Sequence, residues 1–437
     1  MRSSWFPVYR LLAAAASPLA SRRLAKACAA SPTLLARQPE RHGHVPSADG
    51  ELWIHAASVG ELNAAEPLVR ALIAGKQRIV LSTLTHTAAE QAQLRFAGCS
   101  ALRHLFAPLD TVACVSRWLD HTRPRALLLV ETEIWPVMLD QCRRRSIPVA
   151  LVNARISGRA MRRYQRFAGL FRHALAAAEP VLCQDDASRQ RFESLGVGGE
   201  RLSVTGNLKF DVDAPAAPSY ELPGWQRSWA GRPVWVAGST HAGEEEIVAG
   251  AHRRLIEQHP DALLLVVPRH PERGPEALDA CSRVGLNACM IDDWPDRAAR
   301  AEGETGRIQA IVIDRMGVLA GLYRLVDACA VCGSLVEGTG GHNLIEPALA
   351  GKPILTGGHT ADQQAAAEGL EAANGLVRVH SEIDLAGQLA RILGDPEFAR
   401  TLAGNATAFV ESQRGALDRT LEALEPWLDE HANAPKD

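Results

Sequence analysis

Long apolar runs, an excess of charge of one sign and a cysteine framework are all missing from this 437-residue chain. The most lipid-like stretch, residues 11–21, is flanked by Arg10 and Arg22 and is too short and alanine-rich to span about 30 Å of hydrocarbon, which takes roughly 20 apolar residues. The overall composition likewise disfavours a polytopic membrane protein. Lys and Arg number 47 against 50 Asp and Glu, a net charge of −3, which removes the bulk electrostatic case for a nucleic-acid binder. The nine cysteines are odd in number and scattered, unlike the staples of a small secreted domain, and fit a reducing compartment. Several signatures of chemistry are absent too. There is no GxxxxGKS/T loop, no GxGxxG after an early strand, no HExxH and no GxSxG, so a P-loop NTPase, a zincin and an α/β-hydrolase find no support.

What is there is the composition of an ordinary globular protein, 47% apolar and 22% charged, with length for two domains. Residues 1–47 stand apart, because Arg2, Arg10, Arg22, Arg23, Lys26, Arg37 and Arg41 are set against a single acid, Glu40. With Trp5, Phe6, Val8, Tyr9, Leu11 and Leu12 among them, this segment reads as one that lies on anionic lipid, ahead of a poor signal peptide or a plain tail. From Glu51 onward short β-branched or Leu-rich runs alternate with longer helical patterns, the grammar of βαβ units and a parallel sheet. A first series of strands is expected at 52–56, 78–82, 126–131, 149–153 and 180–183, and a second at 234–238, 262–267, 308–313, 327–332 and 353–356. Residues 212–232 hold a proline cluster without periodicity and read as a linker. The expected class is α/β, with two Rossmann-like domains (48–211 and 233–425) facing across a cleft onto which the carboxyl ends of their strands open.

The motifs follow these strands. His55-Ala-Ala-Ser58-Val-Gly60-Glu61 opens a helical pattern, and Ser58 and Glu61 have the S-x-x-E spacing of a capping box. Spacing alone favours that role for Glu61 over a general base. Glu131-Thr-Glu133-Ile-Trp135-Pro136 sets two carboxylates two residues apart, fit for substrate hydroxyls or a raised pKa, and almost as well for an acidic helix start. Between residues 141 and 178 there are nine arginines and no Asp or Glu. Helical winding interleaves Arg159, Arg162, Arg163 and Arg166 with Met161, Tyr164, Phe167, Leu170 and Phe171. Such a surface suits an anionic amphiphile, its phosphate on the guanidiniums and its acyl part on the apolar strip, whereas a solvated face normally mixes both signs. The apolar partners look more like a core stripe than base-stacking platforms. Lys209, in Thr205-Gly206-Asn207-Leu208-Lys209, stands where it could reach into the cleft.

In the second series, Gly238-Ser239-Thr240-His241 precedes a helix whose free amides, with the Ser239 and Thr240 hydroxyls, suit a phosphate; an N-cap followed by acids explains the same residues. Arg269 and Arg273 stand at a strand's carboxyl end, suited to bidentate phosphate or carboxylate recognition. From Cys332 to Pro353 a strand ends, a Gly-rich turn follows and a helix begins, its first turns carrying Asn343 and Glu346. Cys329 and Cys332 lie three apart in a strand, face opposite sides and read as core.

Taken together, the blocks HAASVGE (55–61), ETEIWP (131–136), NARIS (153–157), TGNLKFD (205–211), AGSTHAGEEE (237–246), PRHPER (268–273), LYRLVDACAVCGSL (322–335) and GGHNLIEPALAGKPILTGGH (340–359) resemble, in order, those of one family. It is the bacterial 3-deoxy-D-manno-octulosonic acid (Kdo) transferases of lipid A core assembly. The resemblance implies a GT-B glycosyltransferase moving Kdo from CMP-Kdo to a lipid A precursor, lipid IVA, with inversion and with neither cofactor nor metal. It implies a place at the cytoplasmic face of the cell inner membrane. Glu61 becomes the catalytic base in place of the cap, and Glu131 and Lys209 are taken with it as the catalytic set. The donor contacts carry over to Ser239, Thr240, His241, Arg269, Asn343 and Glu346, with the ribose hydroxyls on Glu346. Arg159, Arg162, Arg163 and Arg166 are kept as the acceptor and membrane surface, and nucleic acid is not an expected partner.

Overall fold

The computed structural model describes residues 5–29, 31–47, 50–211, 229, 231–294 and 307–431. Most of the expected linker, 212–228 and 230, lies outside them. The chain divides into two compact units, residues 1–212 with 413–437, and residues 213–412.

The first unit is built on β1 (Leu52–His55), β2 (Ile79–Thr83), β3 (Leu102–Phe106), β4 (Ala126–Val130), β5 (Val149–Ala154), β6 (Ala178–Cys183) and β7 (Leu202–Val204), in the order β3-β2-β1-β4-β5-β6-β7. The second holds β8 (Val234–Thr240), β9 (Leu263–Pro268), β10 (Ala288–Met290), β11 (Ala310–Val312), β12 (Ala328–Val331), β13 (Ile354–Thr356) and β14 (Val377–Arg378), in the order β10-β11-β9-β8-β12-β13-β14. All pairings are parallel. The ten expected strands are all present. The four that the sequence did not announce, β3, β7, β10 and β14, are the four sheet edges. An edge strand is covered less completely and so lacks the unbroken apolar run of a buried parallel strand; in β7 only Leu202 is buried.

Alternation along each interior strand feeds two cores. Trp53, Leu127 and Leu129 point to one side of the first sheet and Leu52, Ile54, Leu128 and Val130 to the other. Trp235 and Ala237 divide from Val234 and Val236 in the same way. Cys329 and Cys332 fall into opposite cores, as expected of them. Strand order reverses between β1 and β4 and again between β8 and β12, and parallel sheets open a crevice beyond the carboxyl ends of strands at such a switch point. The segments that end or follow these four strands carry Glu61, Glu131, Ser239 to His241 and the Gly-rich turn with Asn343 and Glu346, while Lys209 follows β7 and Arg269 follows β9.

The N-terminal segment is not a loose tail. A helix, Trp5–Ala27, turns Phe6, Tyr9, Ala13, Ser17, Ala20 and Leu24 inward at spacings of three and four, and Phe6 packs on His173 with ring centres 4.5 Å apart. Residues after it are equally built in, for Arg41 is fully buried with its guanidinium 3.9 Å above the Phe106 ring. The opposite face of the helix exposes Trp5, Val8, Leu11, Leu12 and Leu19, with Arg22, Arg23 and Lys26 beyond them. Among the described residues no helix is long and apolar enough to cross a membrane.

Residues 413–425, placed by sequence in the second domain, pack with the first unit. The helix Ala416–Glu430 packs on β6 and the helix Val59–Ala74, and Leu424, Trp427 and Leu428 join the core that holds Leu52, Ile54 and Leu182. Asp211 accepts hydrogen bonds from the Gly415 amide (2.7 Å) and the Leu417 amide, capping this helix from 204 residues away along the chain.

Candidate active-site residues in the two units

In the first unit, β1 ends at His55 and a short turn leads into the helix Val59–Ala74. The capping box is real: the Glu61 amide donates to Ser58 Oγ (3.3 Å), and Glu61 Oε2 accepts from the Ala57 amide (2.5 Å). The same carboxyl is nonetheless poised for chemistry. Burial, then the Glu133 and Glu131 carboxylates, push it up to about 8 against the pull of the backbone amides. Cap and proton acceptor are therefore compatible roles for one side chain.

The two neighbouring acids come from the loop after β4. Glu131 sits in the left-handed region at φ 59°, a strained conformation for a residue with a side chain, and Lys209 Nζ lies 2.7 Å from its Oε1. Lys209 is delivered by the 3-10 turn Leu208–Phe210, which Asn153 at the end of β5 holds by accepting from the Leu208 amide (3.0 Å). Glu133 Oε2 lies 3.6 Å from Nε2 of fully buried His55 and accepts from the Trp135 indole (2.5 Å). Burial pushes Glu133 up, but the imidazole and the indole outweigh it and hold this carboxyl below its ordinary range. The structure thus brings together Glu61, Glu131 and Lys209, and adds His55 and Glu133. Sequence reasoning gave Glu133, with Glu131, a reading as a substrate-hydroxyl or raised-pKa carboxylate or an acidic helix start, but quoted His55 without a role; its place at the end of β1, a switch-point strand, was the signal.

The arginine-rich stretch divides in two. Arg143 and Arg144 pair with buried Asp140, just outside the acid-free window, and Arg145 pairs with Asp120. In the helix Gly158–Arg166, Arg162, Arg163 and Arg166 are exposed; the Arg159 side chain lies outside the described residues. Met161, Tyr164 and Leu170 are buried in the core, so the apolar strip faces the protein and is closed to an acyl chain. The guanidiniums alone remain as a surface.

In the second unit, Ser239, near the end of β8, takes φ 59° and is half-buried. The Thr240 hydroxyl is fully buried and donates to Glu245 (3.2 Å), which in turn holds Arg273 through both of its oxygens. Glu244 is the feature that sequence reasoning missed. Its fully buried carboxylate accepts from four backbone amides, those of His241 (2.9 Å), Gly333 (2.8 Å), Ser334 (2.9 Å) and Leu335 (2.8 Å). The amides after β12 that could have cradled a ligand anion are occupied by the protein's own. Gly333 is required here, since at φ 74° a Cβ would also stand 2.6 Å from the His342 ring.

The His241 and His342 rings lie parallel, Nε2 to Nε2 2.8 Å, with His270 edge-on to His241. Burial lowers both, and with His241, Arg269 and His270 around it His342 falls to about 4, so the pair is uncharged at neutral pH. The Arg269 guanidinium has no ion-pair partner among the described residues. Asn343 donates to Glu346 Oε1 (3.0 Å) and accepts from the Ile345 amide (2.9 Å), opening a helix of five residues, Ile345–Leu349. Burial raises the Glu346 carboxyl, offset in part by Asn343. Among the described residues no group of three or more His, Cys, Asp or Glu is arranged to hold a metal ion.

Comparison with known proteins bears on this arrangement. The family model of 3-deoxy-D-manno-octulosonic-acid transferase (kdotransferase) matches residues 36–212. A 3-deoxy-D-manno-octulosonic acid transferase of Haemophilus influenzae is 33% identical over 407 residues, 91% of this chain and 93% of the relative. One of Bordetella pertussis is 33% identical over 384 residues, 86% of this chain and 87% of the relative. Among solved structures, the UDP-GlcNAc 2-epimerase of Neisseria meningitidis bound to UDP-GlcNAc aligns with a TM-score of 0.56 over 86% of this chain and all of that one, at 13% identity, a likeness of fold. With a third of its residues identical to those transferases over nearly its whole length, the chain belongs to the 3-deoxy-D-manno-octulosonic acid transferase family.

Proposed function

We propose that this glycosyltransferase moves Kdo from CMP-Kdo to a lipid A precursor, lipid IVA, in lipopolysaccharide synthesis, with inversion and with Glu61 as general base. The observation that carries the reading is the group of three carboxylates at the switch point of the first sheet, in which burial and the other two acids lift Glu61 to about 8. A base whose pKa lies near the working pH couples a useful ionised fraction to a strong proton affinity. In the reaction an acceptor hydroxyl oxygen attacks the anomeric carbon of Kdo and its proton passes to Glu61. The bond from that carbon to the CMP phosphate oxygen breaks, and CMP leaves with the electron pair. The ion pair with Lys209 neutralises Glu131 and leaves Glu61 the group free to take the proton.

On the donor side, Arg269 and the uncharged His241–His342 pair offer N–H groups to the phosphate, and Asn343 and Glu346 take the ribose. Ser239 stands beside them. Thr240 supports this set from behind through Glu245, its hydroxyl being already engaged. We assign no divalent ion to the reaction, because the nearby carboxylates Glu244 and Glu245 are held by four amides and by Arg273. The exposed apolar face of the N-terminal helix, with Arg22, Arg23 and Lys26, and the exposed Arg162, Arg163 and Arg166 support a place on the anionic cytoplasmic face of the inner membrane. Incubating the protein with CMP-Kdo and lipid IVA and resolving the products by mass tests the activity. An acceptor that gains no Kdo under conditions where the fold is intact refutes it.

A further inference from the structure

The N-terminal helix is joined to the acidic loop by hydrogen bonds on either side of Pro136. Tyr9 Oη donates to Asp110 Oδ2 (2.7 Å), and Asp110 accepts from the Val137 amide at Oδ2 (3.1 Å) and the Met138 amide at Oδ1 (2.7 Å). These two amides open the helix Pro136–Arg144, whose N-cap position, Trp135, supplies no side-chain cap of its own. Pro136 has no N–H, so Val137 and Met138 are the amides that a local cap would serve. Asp110 serves them from another loop, 27 residues earlier. On the other side of Pro136, Trp135 donates to Glu133, which faces His55 and crowds Glu61.

We infer that Tyr9 and Asp110 are positioning residues for the loop of Glu131 and Glu133, holding both carboxylates against Glu61. Both act through the helix that follows the loop. Asp110 is buried, and burial pushes its carboxyl up to about 6 even with three donors pulling it down. The buried thiol of Cys142 is also nearby, pushed up to about 12 and therefore uncharged. Around Glu61 the charged and titratable groups are Glu131 and Glu133 on the loop, with His55 at the end of β1 against Glu133 and Lys209 on its turn against Glu131. Removing the Tyr9 hydroxyl unties the loop from the N-terminal helix. At an effective dielectric of about 20, a like charge retreating from about 6 to about 8 Å relieves a carboxyl by roughly half a pH unit.

The inference rests on Glu61 being the base, and its test separates the two. The full-length chain is labelled with carboxyl-13C glutamate, the Glu61 resonance is assigned by its loss in Glu61→Gln, and its titration is compared in wild type, Tyr9→Phe and Asp110→Asn beside the pH profile of kcat. The expected result is a Glu61 midpoint lowered by about half a pH unit or more in both variants, with the acid limb of kcat moving with it. Should the midpoint fall while the acid limb stays, the positioning role stands and the base is another group. A midpoint unmoved in both variants, with only the melting temperature lowered, overturns the inference and leaves a plain structural cap. Tyr9→Phe loses one oxygen on a half-buried helix face, so the test survives if Asp110→Asn fails to fold.

Discussion

Replacing Glu61 by Gln separates its two roles. The amide oxygen of Gln can still accept from Ala57, so the helix start is kept, while the ionisable group is gone. In the wild type the folded carboxyl titrates at about 8 in place of the ordinary 4.5, because it is buried beside Glu133 and Glu131. Between those two pH values the folded chain holds a proton that the unfolded chain has lost. The contribution of this raised carboxyl is therefore complete below pH 4.5 and is lost as pH rises through 8. At about 1.4 kcal/mol per pH unit the whole span comes to nearly 5 kcal/mol, and partial solvent screening brings the expected loss to roughly 3. Gln has no such loss. The stability of Glu61→Gln relative to wild type should then grow by roughly 3 kcal/mol between pH 5 and pH 8, read from urea unfolding at stepped pH. Transfer should fall by about 10² to 10⁴ at every pH, the usual worth of a positioned base. A stability difference that stays flat across this range would show that Glu61 ionises normally and refute the argument. Near wild-type turnover would reduce Glu61 to a cap.

Arg269→Ala and Glu346→Ala should each weaken CMP binding measured by calorimetry by about tenfold or more while leaving the KM for acceptor within about twofold, as expected for losing a charge-assisted hydrogen bond; unchanged CMP affinity in both would move the donor site. EDTA should leave transfer intact, and a loss restored by Mg²⁺ or Mn²⁺ would contradict the donor-side assignment. Glu244→Ala should cost about 3 kcal/mol or more in urea unfolding, because four backbone amides, two of them in fully buried bonds, lose their acceptor, whereas a change under about 1 kcal/mol would mean water replaces it readily. Replacing Arg162, Arg163 and Arg166 by Gln should lower partitioning to anionic vesicles by up to roughly a hundredfold at low salt and less at high salt, at about 1 kcal/mol per basic residue. Sedimentation that matches wild type at every lipid composition would make them an ordinary solvated face.

The interior of each sheet was legible because a parallel strand covered on both faces must be apolar throughout; the edges β3, β7, β10 and β14 were not, because their half-open faces carry residues such as Arg103, Ser203 and Arg378. The site was legible as blocks after strands, but roles were not. Ser58 and Glu61 look like a cap and are one; only the crowding by Glu131 and Glu133, 70 and 72 residues away in sequence, makes the same carboxyl a candidate base. Glu244 is the first of three acids in a row and indistinguishable from its neighbours until the loop after β12 brings three amides to it. Helical spacing put Met161 and Tyr164 on one face correctly, yet periodicity cannot tell whether that face meets lipid or core, and it meets core.

Asp211 and Gly415 lie within one hydrogen bond of each other, so the chain leaves the first unit and re-enters it at a single point. Along the chain the second unit is a guest: one continuous segment, 213–412, set into a host whose last helix is written after it. A host interrupted in this way cannot finish its own core until the guest has been translated, since Leu424, Trp427 and Leu428 arrive last. Truncation at the end of the guest therefore strips the host, and exchange of one guest for another between relatives is best cut at these two adjacent seams, with Asp211 and the capped helix start kept together.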